Sequence, residues 1–132
     1  MTYKIKMNDA TFYLWTGIAG ALYTGFAALR YYSLSGTQLI SAARAKKMIK
    51  SGEIKHVVDV RSKFEWDFGH YPGAVHMPVN VISAERLKKF DKNDGILTLC
   101  NTGQRARAGA EKIASFGFKN VYYIDGTYST IQ

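Results

Sequence analysis

The sequence predicts an α/β domain in three layers, a central and mostly parallel sheet flanked by helices, preceded by one hydrophobic helix. Three observations predict it. From Ser33 onward, short apolar runs alternate with helix-patterned segments, which implies parallel strands covered on both faces. Near residue 30 the composition changes sharply, from a charge-free stretch to ordinary globular sequence. The 132 residues, 47% hydrophobic and 21% charged, suffice for one core and not for two. The division is therefore a hydrophobic segment over 1–32 and an α/β domain over 33–132.

The N-terminal segment contains "ATFYLWTGIAGALYTGFAAL", without a charge over its 20 residues, which is long enough for a bilayer-spanning helix over about 10–30. Phe12, Tyr13 and Trp15 near one end, with Tyr31 and Tyr32 near the other, resemble an interfacial belt. A membrane anchor is the reading this favours. A cleaved signal peptide is the second, with Ala19-Gly20-Ala21 as the cleavage-like site, although Asp9 interrupts the basic n-region. A soluble helix packed on the domain is the third, but no polar face is visible. Arg30, Arg44, Lys46, Lys47 and Lys50 outnumber Lys4 and Lys6, so a single-pass arrangement would place the C-terminal domain on the cytoplasmic side. Gly17, Ala21, Gly25 and Ala28 share one face, which leaves a helix-mediated dimer open.

Within the domain, Ser41 caps a helix through "AARAKKMIK" that ends before Gly52. "HVVDV" is a strand, "KFEWDFG" one or two helical turns, and "GAVHMP" a second short strand. "SAERLKKF" is a helix capped by Ser83, with Leu87 and Phe90 inward. "GILTLC" is a strand, "RARAGAEKIASFG" a helix starting near Ala106, and "NVYYI" the last strand.

The net charge of +8 is spread along the chain; a solvated basic surface is expected, and no nucleic-acid partner. His56, His70 and His76 have no ligand-like spacing, so neither a metal nor a cofactor is expected. The lone cysteine, Cys100, excludes an intrachain disulfide. It stands at the end of a strand, where open α/β sheets gather ligands. Gly103 lets the following loop turn N–H groups inward, and the next helix adds the positive end of its dipole. Arg105 and Arg107 would add charge. These features favour a thiolate nucleophile, against the alternative of a small buried hydrophobe.

"VVDVRSKFEWDFGHYPGAVHMP" and "CNTGQRA" together resemble the two signatures of single-domain rhodaneses, across about residues 37–127. The resemblance implies a rhodanese-like fold and a sulfurtransferase in which Cys100 carries sulfane sulfur as a persulfide. Asn101, Thr102, Gly103, Gln104 and Arg105 would cradle it, mainly through backbone N–H groups. Asp59, Arg61 and His70 would support the loop, and Glu65 would belong to the scaffold. Loop length also matters in this family: Cys100 to Arg105 spans six residues, whereas related phosphatases use one more. That favours sulfur over phosphate or arsenate chemistry. The implied partners are a small sulfur donor such as thiosulfate and a thiol or cyanide acceptor. A tethered binding or sulfur-relay module with little turnover of its own is the alternative. The chain departs from the family after the last strand, where "IDGTYSTIQ" replaces a longer tail. That puts a final helix in doubt, with Tyr128 a candidate to cover the same apolar surface.

Overall fold

Five strands form one sheet in which every pairing is parallel, in the order β1-β5-β4-β2-β3. They are β1 (Thr37–Ile40), β2 (Ile54–Asp59), β3 (Val75–His76), β4 (Gly95–Leu99) and β5 (Asn120–Ile124). The helices are α1 (Asp9–Tyr32), α2 (Ala42–Ser51), α3 (Lys63–Phe68), α4 (Ala84–Leu87) and α5 (Gln104–Ser115), with 3₁₀ turns at Val79–Val81 and Tyr128–Ile131. These elements come from a computed structural model that describes residues 8–32 and 36–132. The chain divides into two compact units, Met1–Leu34 and Ser35–Gln132.

Side chains alternate across a strand, and β4 shows what that does here. Ile96 and Cys100 face a cluster with Leu87 of α4 and Ala106, Ala110 and Ile113 of α5. Leu97 and Leu99 face the opposite cluster, with Ala45 and Met48 of α2 and Ile131. All five residues of β4 are buried, as expected for a strand covered on both sides. Each fully buried aliphatic side chain contributes roughly 1.5–3 kcal/mol, so the central strand is the best-anchored element. A cysteine at its end inherits that rigidity.

Local chemistry sets the helix ends. Ser41 accepts a hydrogen bond from the Arg44 N–H, and Gly52 closes α2 in the left-handed conformation at φ 85°. Ser62 and Glu65 form a reciprocal capping box on α3. α5 lies close to the sheet because Gly109 has no side chain. A Cβ there would stand 2.8 Å from Val60 Cγ1 and 3.5 Å from Ile82 Cδ1.

Several expectations need correction. β1 is absent from the sequence-based reading: four residues with Gln38 and Leu39 exposed carry little pattern, and pairing with β5 makes them a strand. The "SAERLKKF" helix is limited to Ala84–Leu87. α5 begins at Gln104, two residues before the expected start. The tail closes in a 3₁₀ turn that buries Ile131 and packs Tyr128 against the α2 side of the sheet.

The largest correction concerns the N-terminal unit. α1 forms, with Asn8 Oδ1 accepting the Thr11 N–H at 2.8 Å. Among the described residues, however, no helix is long and apolar enough to cross a membrane. Three threonines, three glycines and two tyrosines between Ala10 and Leu29 dilute the run. Thr16 and Thr24 turn their hydroxyls onto the carbonyls of Phe12 and Gly20, at 3.0 Å each. Phe12, Leu14, Trp15, Leu22 and Phe26 are exposed. Lys4 and Lys6, which entered the orientation argument, lie outside the described residues.

Gly109→Ala should lower the unfolding free energy by about 1 kcal/mol, because overpacking against Val60 exceeds the gain in helix propensity. Urea denaturation of the full chain measures it; an unchanged or higher midpoint would mean that Val60 yields without cost.

Candidate functional site

The two sequence signatures meet because β2 and β4 are neighbours, with Asp59 in register with Leu99. The Val60 N–H donates to the Leu99 carbonyl at 3.1 Å. The residues after each strand therefore leave the sheet side by side: one chain turns into α3, the other into the cysteine loop.

Cys100 is fully buried. Its Sγ accepts the Gly103 N–H at 3.1 Å and the Ala106 N–H at 3.3 Å. Gly103 sits at φ 85° as the N-cap of α5. A Cβ there would meet Asp125 Oδ1 at 3.1 Å and Asp125 Cα at 3.2 Å, so the conformation favours glycine and the space is tight for any side chain. The buried Thr98 hydroxyl donates to the Ala106 carbonyl at 2.7 Å, tying the first turn of α5 to β4. The sulfur thus has apolar neighbours on the core side and amide hydrogens on the loop side. Partial positive charge from a helix N-terminus concentrates at such a point.

Of the five expected cradle residues, Gly103 donates its N–H to the sulfur. Asn101, Thr102 and Gln104 are exposed on the loop. Ala106, expected only as a helix start, supplies the second donor. Arg105 turns from the sulfur to Glu65: its two guanidinium nitrogens reach the carboxylate oxygens at 2.6 and 2.9 Å. Asn101 Nδ2 donates to the same carboxylate, at 2.5 Å. Arg107 pairs with Glu111 at 3.1 Å. The added positive charge expected from Arg105 is therefore balanced by an acid at the loop's flank.

Glu65 is the residue whose reach was underestimated. Its Oε1 also accepts from the Ser62 N–H at 3.3 Å and the Ser62 hydroxyl at 2.9 Å. The Arg105 guanidinium, with Ser62 in support, holds its pKa down to about 2. The Ser-x-x-Glu spacing marks a capping box in the sequence; nothing local marks the partner forty positions later.

Asp59 and Arg61 form the second pillar. The Asp59 carboxylate accepts the Arg61 N–H at 3.0 Å, Nε at 2.9 Å and Nη2 at 2.7 Å. Arg61 Nη2 also donates to the Gly69 carbonyl at 2.7 Å, and its guanidinium lies 5.0 Å from the Tyr128 ring centroid. The hydrogen bond to Asp59 raises the Arg61 pKa further, so it stays charged. His70 stacks on Trp66 at 3.6 Å, with Nδ1 3.0 Å from the Trp66 carbonyl oxygen. It supports the turn after α3. His76 also stacks on Trp66, at 4.8 Å, while His56 pairs with Asp94 at 2.9 Å.

A cysteine loop closing onto a helix N-terminus, flanked by an Asp-Val-Arg strand end on a five-stranded parallel sheet, defines a class of domain. The family model for the rhodanese-like domain matches residues 41–132. The chain belongs to that family. It is 33% identical over 82 residues to the putative sulfur carrier protein YrkF of Bacillus subtilis, covering 62% of this chain and 44% of that protein. It spans less than half the length of the curated relatives it matches. Among solved structures, the BH2092 protein of Bacillus halodurans is similar at TM-score 0.63 and 29% identity, with 81% of this chain and 80% of that one covered. A human single-domain sulfurtransferase shares the fold at TM-score 0.60 and 22% identity, covering 70% of this chain and 92% of that one.

Two outcomes are expected. Asp59→Ala leaves the Arg61 guanidinium buried without its counter-charge and should cost about 3–5 kcal/mol in chemical denaturation. Glu65 contributes through a depressed pKa, so its stabilisation is complete above the ordinary value of 4.5 and is lost as pH falls through about 2. The stability gap between wild type and Glu65→Gln should therefore be widest above pH 4.5 and close toward pH 2. A gap independent of pH would remove Glu65 from the clamp.

Proposed function

We propose that this protein is a sulfurtransferase that carries sulfane sulfur on Cys100. The observation that carries this reading is the pair of backbone N–H groups, from Gly103 and Ala106, aimed at a buried Sγ within a six-residue loop. The Cys100 thiolate attacks the outer sulfur of thiosulfate. The S–S bond of the donor breaks, sulfite leaves with the electron pair, and Cys100–S–S⁻ remains. An acceptor thiolate or cyanide then attacks the outer sulfur of the persulfide. The Cys100 thiolate departs with the electron pair, and a thiol persulfide or thiocyanate is the product. Oriented N–H donors stabilise the sulfur anion before and after each step, without reorganising. Asn101, Thr102, Gln104 and Arg105 complete the loop that encloses the outer sulfur, while Asp59, Arg61 and His70 hold the loop's surroundings.

A second reading, a docked relay module that passes sulfur only to a protein partner, is favoured by the exposed aromatic and aliphatic side chains of α1. The two readings share the first half-reaction and differ in the acceptor. Full turnover with cyanide or small thiols supports the enzyme. Loading without small-molecule turnover, followed by transfer to a protein thiol, supports the relay.

Incubation with thiosulfate should add the mass of one sulfur to Cys100, and Cys100→Ser should gain none by intact-protein mass spectrometry. Failure of every sulfane donor to load Cys100, with turnover of phosphate esters instead, would overturn the reading.

A further inference from the structure

A cavity of about 340 Å³ opens between α4 and the turn that follows α5. The cysteine loop precedes α5 and this cavity lies past its other end, so the 12 residues of the helix separate the two by about 17 Å. Leu87, Phe90 and Phe118 line it from below, each at most 8% exposed and each part of the hydrophobic cluster on the α5 side of the sheet. Ala84 and the half-buried Phe116 complete the apolar lining. Lys88 and Lys92, both exposed, supply the charge, and none of the described lining residues is acidic. The Lys92 ammonium is held in place: it donates to the Phe116 carbonyl at 2.8 Å, beside Gly117, where a Cβ would stand 3.2 Å from Nζ. Lys89 adds a third ammonium, 5.4 Å from the Phe90 ring centroid. Among the described residues no carboxylate pairs with any of these lysines. The nearby acids are engaged elsewhere or stand outside the cavity. Asp91 accepts the Asn93 N–H at 2.8 Å, Asp94 pairs with Lys55 and His56, and Glu85 sits in the first turn of α4.

We propose that this cavity binds an aromatic monocarboxylate. Each part of the ligand follows from the wall it meets. An apolar body is required because the lining is apolar, and the volume lies within the range of small-molecule sites. The body is planar and aromatic because Phe90, Phe116 and Phe118 offer ring faces and edges, which favour another ring in offset or edge contact. The charge is negative because two lysines with no acid opposite them attract an anion and repel a cation. A carboxylate at the mouth meets the ammonium groups of Lys88 and Lys92 while the rings lie on Leu87 and Phe118. The site goes beyond the sulfurtransferase reading and does not depend on it: the ligand needs no thiol, no bond is made or broken, and Cys100 takes no part.

The test titrates the full chain, isotope-labelled, with naphthylacetate, naphthylethanol and octanoate, and reads binding from backbone amide shifts. Naphthylacetate should saturate with a Kd of roughly 0.1–1 mM, the range for a ligand of about 14 non-hydrogen atoms. The largest shifts should fall at Leu87 to Lys92 and Phe116 to Phe118, with Gly103 and Ala106 unmoved. Naphthylethanol, which lacks the charge, should bind about three- to tenfold more weakly, the value of exposed ion pairs. Octanoate, which lacks the rings and must be ordered on binding, should be weaker by at least about threefold. Lys88→Gln combined with Lys92→Gln should lower the acid to the affinity of the alcohol and leave the alcohol unchanged. Ala84→Trp should fill the cavity and abolish binding of all three, with circular dichroism reporting its fold. The glutamine pair, at exposed positions, carries the test if the tryptophan variant does not fold. No saturation below about 5 mM, shifts centred on the cysteine loop, or an acid preference that survives loss of both lysines overturns the site. Octanoate binding as tightly as naphthylacetate overturns the aromatic assignment. Sulfur loading of Cys100 bears on neither outcome.

Discussion

The arrangement depends on one buried ion pair. Asp59 ends β2 with its carboxylate fully enclosed, and Arg61, two residues on, folds back to meet it. A buried charge without a partner is costly, so neither residue is free to move alone. Around the pair, Met77 donates its N–H to the Asp59 carbonyl at 2.9 Å, and His76 Nε2 lies 2.8 Å from the Arg61 carbonyl oxygen. Gly69 accepts from the guanidinium, and Tyr128 lies against it. Three separate stretches of chain, at His76–Met77, Gly69 and Tyr128, meet at these two residues. The route by which α3 leaves the sheet, and hence the place of Glu65, follows from that pair.

Glu65 carries the constraint onward. Its carboxylate satisfies the N-cap of a short helix and the guanidinium and amide of the cysteine loop together. A helix of six residues has little stability of its own, so the clamp and the cap reinforce one another. One consequence is electrostatic. The loop arginine is paired with Glu65, so the donors that touch the Cys100 sulfur are backbone N–H groups, which do not titrate. A second is mechanical, since Asn101 and Arg105, the two ends of the exposed loop, are held by one acid.

Much of this was legible in the sequence where local rules dominate. Ser41 and Ser83 lie where helices begin, Gly52 where one ends, and the near-continuous apolar run in "GILTL" fits a strand buried on both faces. The loop could be located because Cys100, Gly103 and Arg105 are close in the chain. What remained hidden depends on partners remote in sequence. Glu65 meets Arg105 across forty positions. β1 is a strand only because β5 is beside it. Lys92 resembles any surface lysine until the Phe116 carbonyl lies against it. The hydrophobic segment misled for a different reason: absence of charge was weighted above the diluting effect of threonine, glycine and tyrosine.

The burial of Cys100 has one more consequence. Its sulfur belongs to the apolar cluster on the α5 side of the sheet, and its polar company consists of two amide hydrogens. At 0% exposure the residue presents no surface to a peroxide, a metal ion or a bulky electrophile in this conformation. On the sulfur-carrying reading proposed above, access and not only intrinsic reactivity bears on how long a group on that atom lasts. On that same reading, burial keeps a labile group apart from the surrounding solution and makes its release a matter of which molecule gains entry.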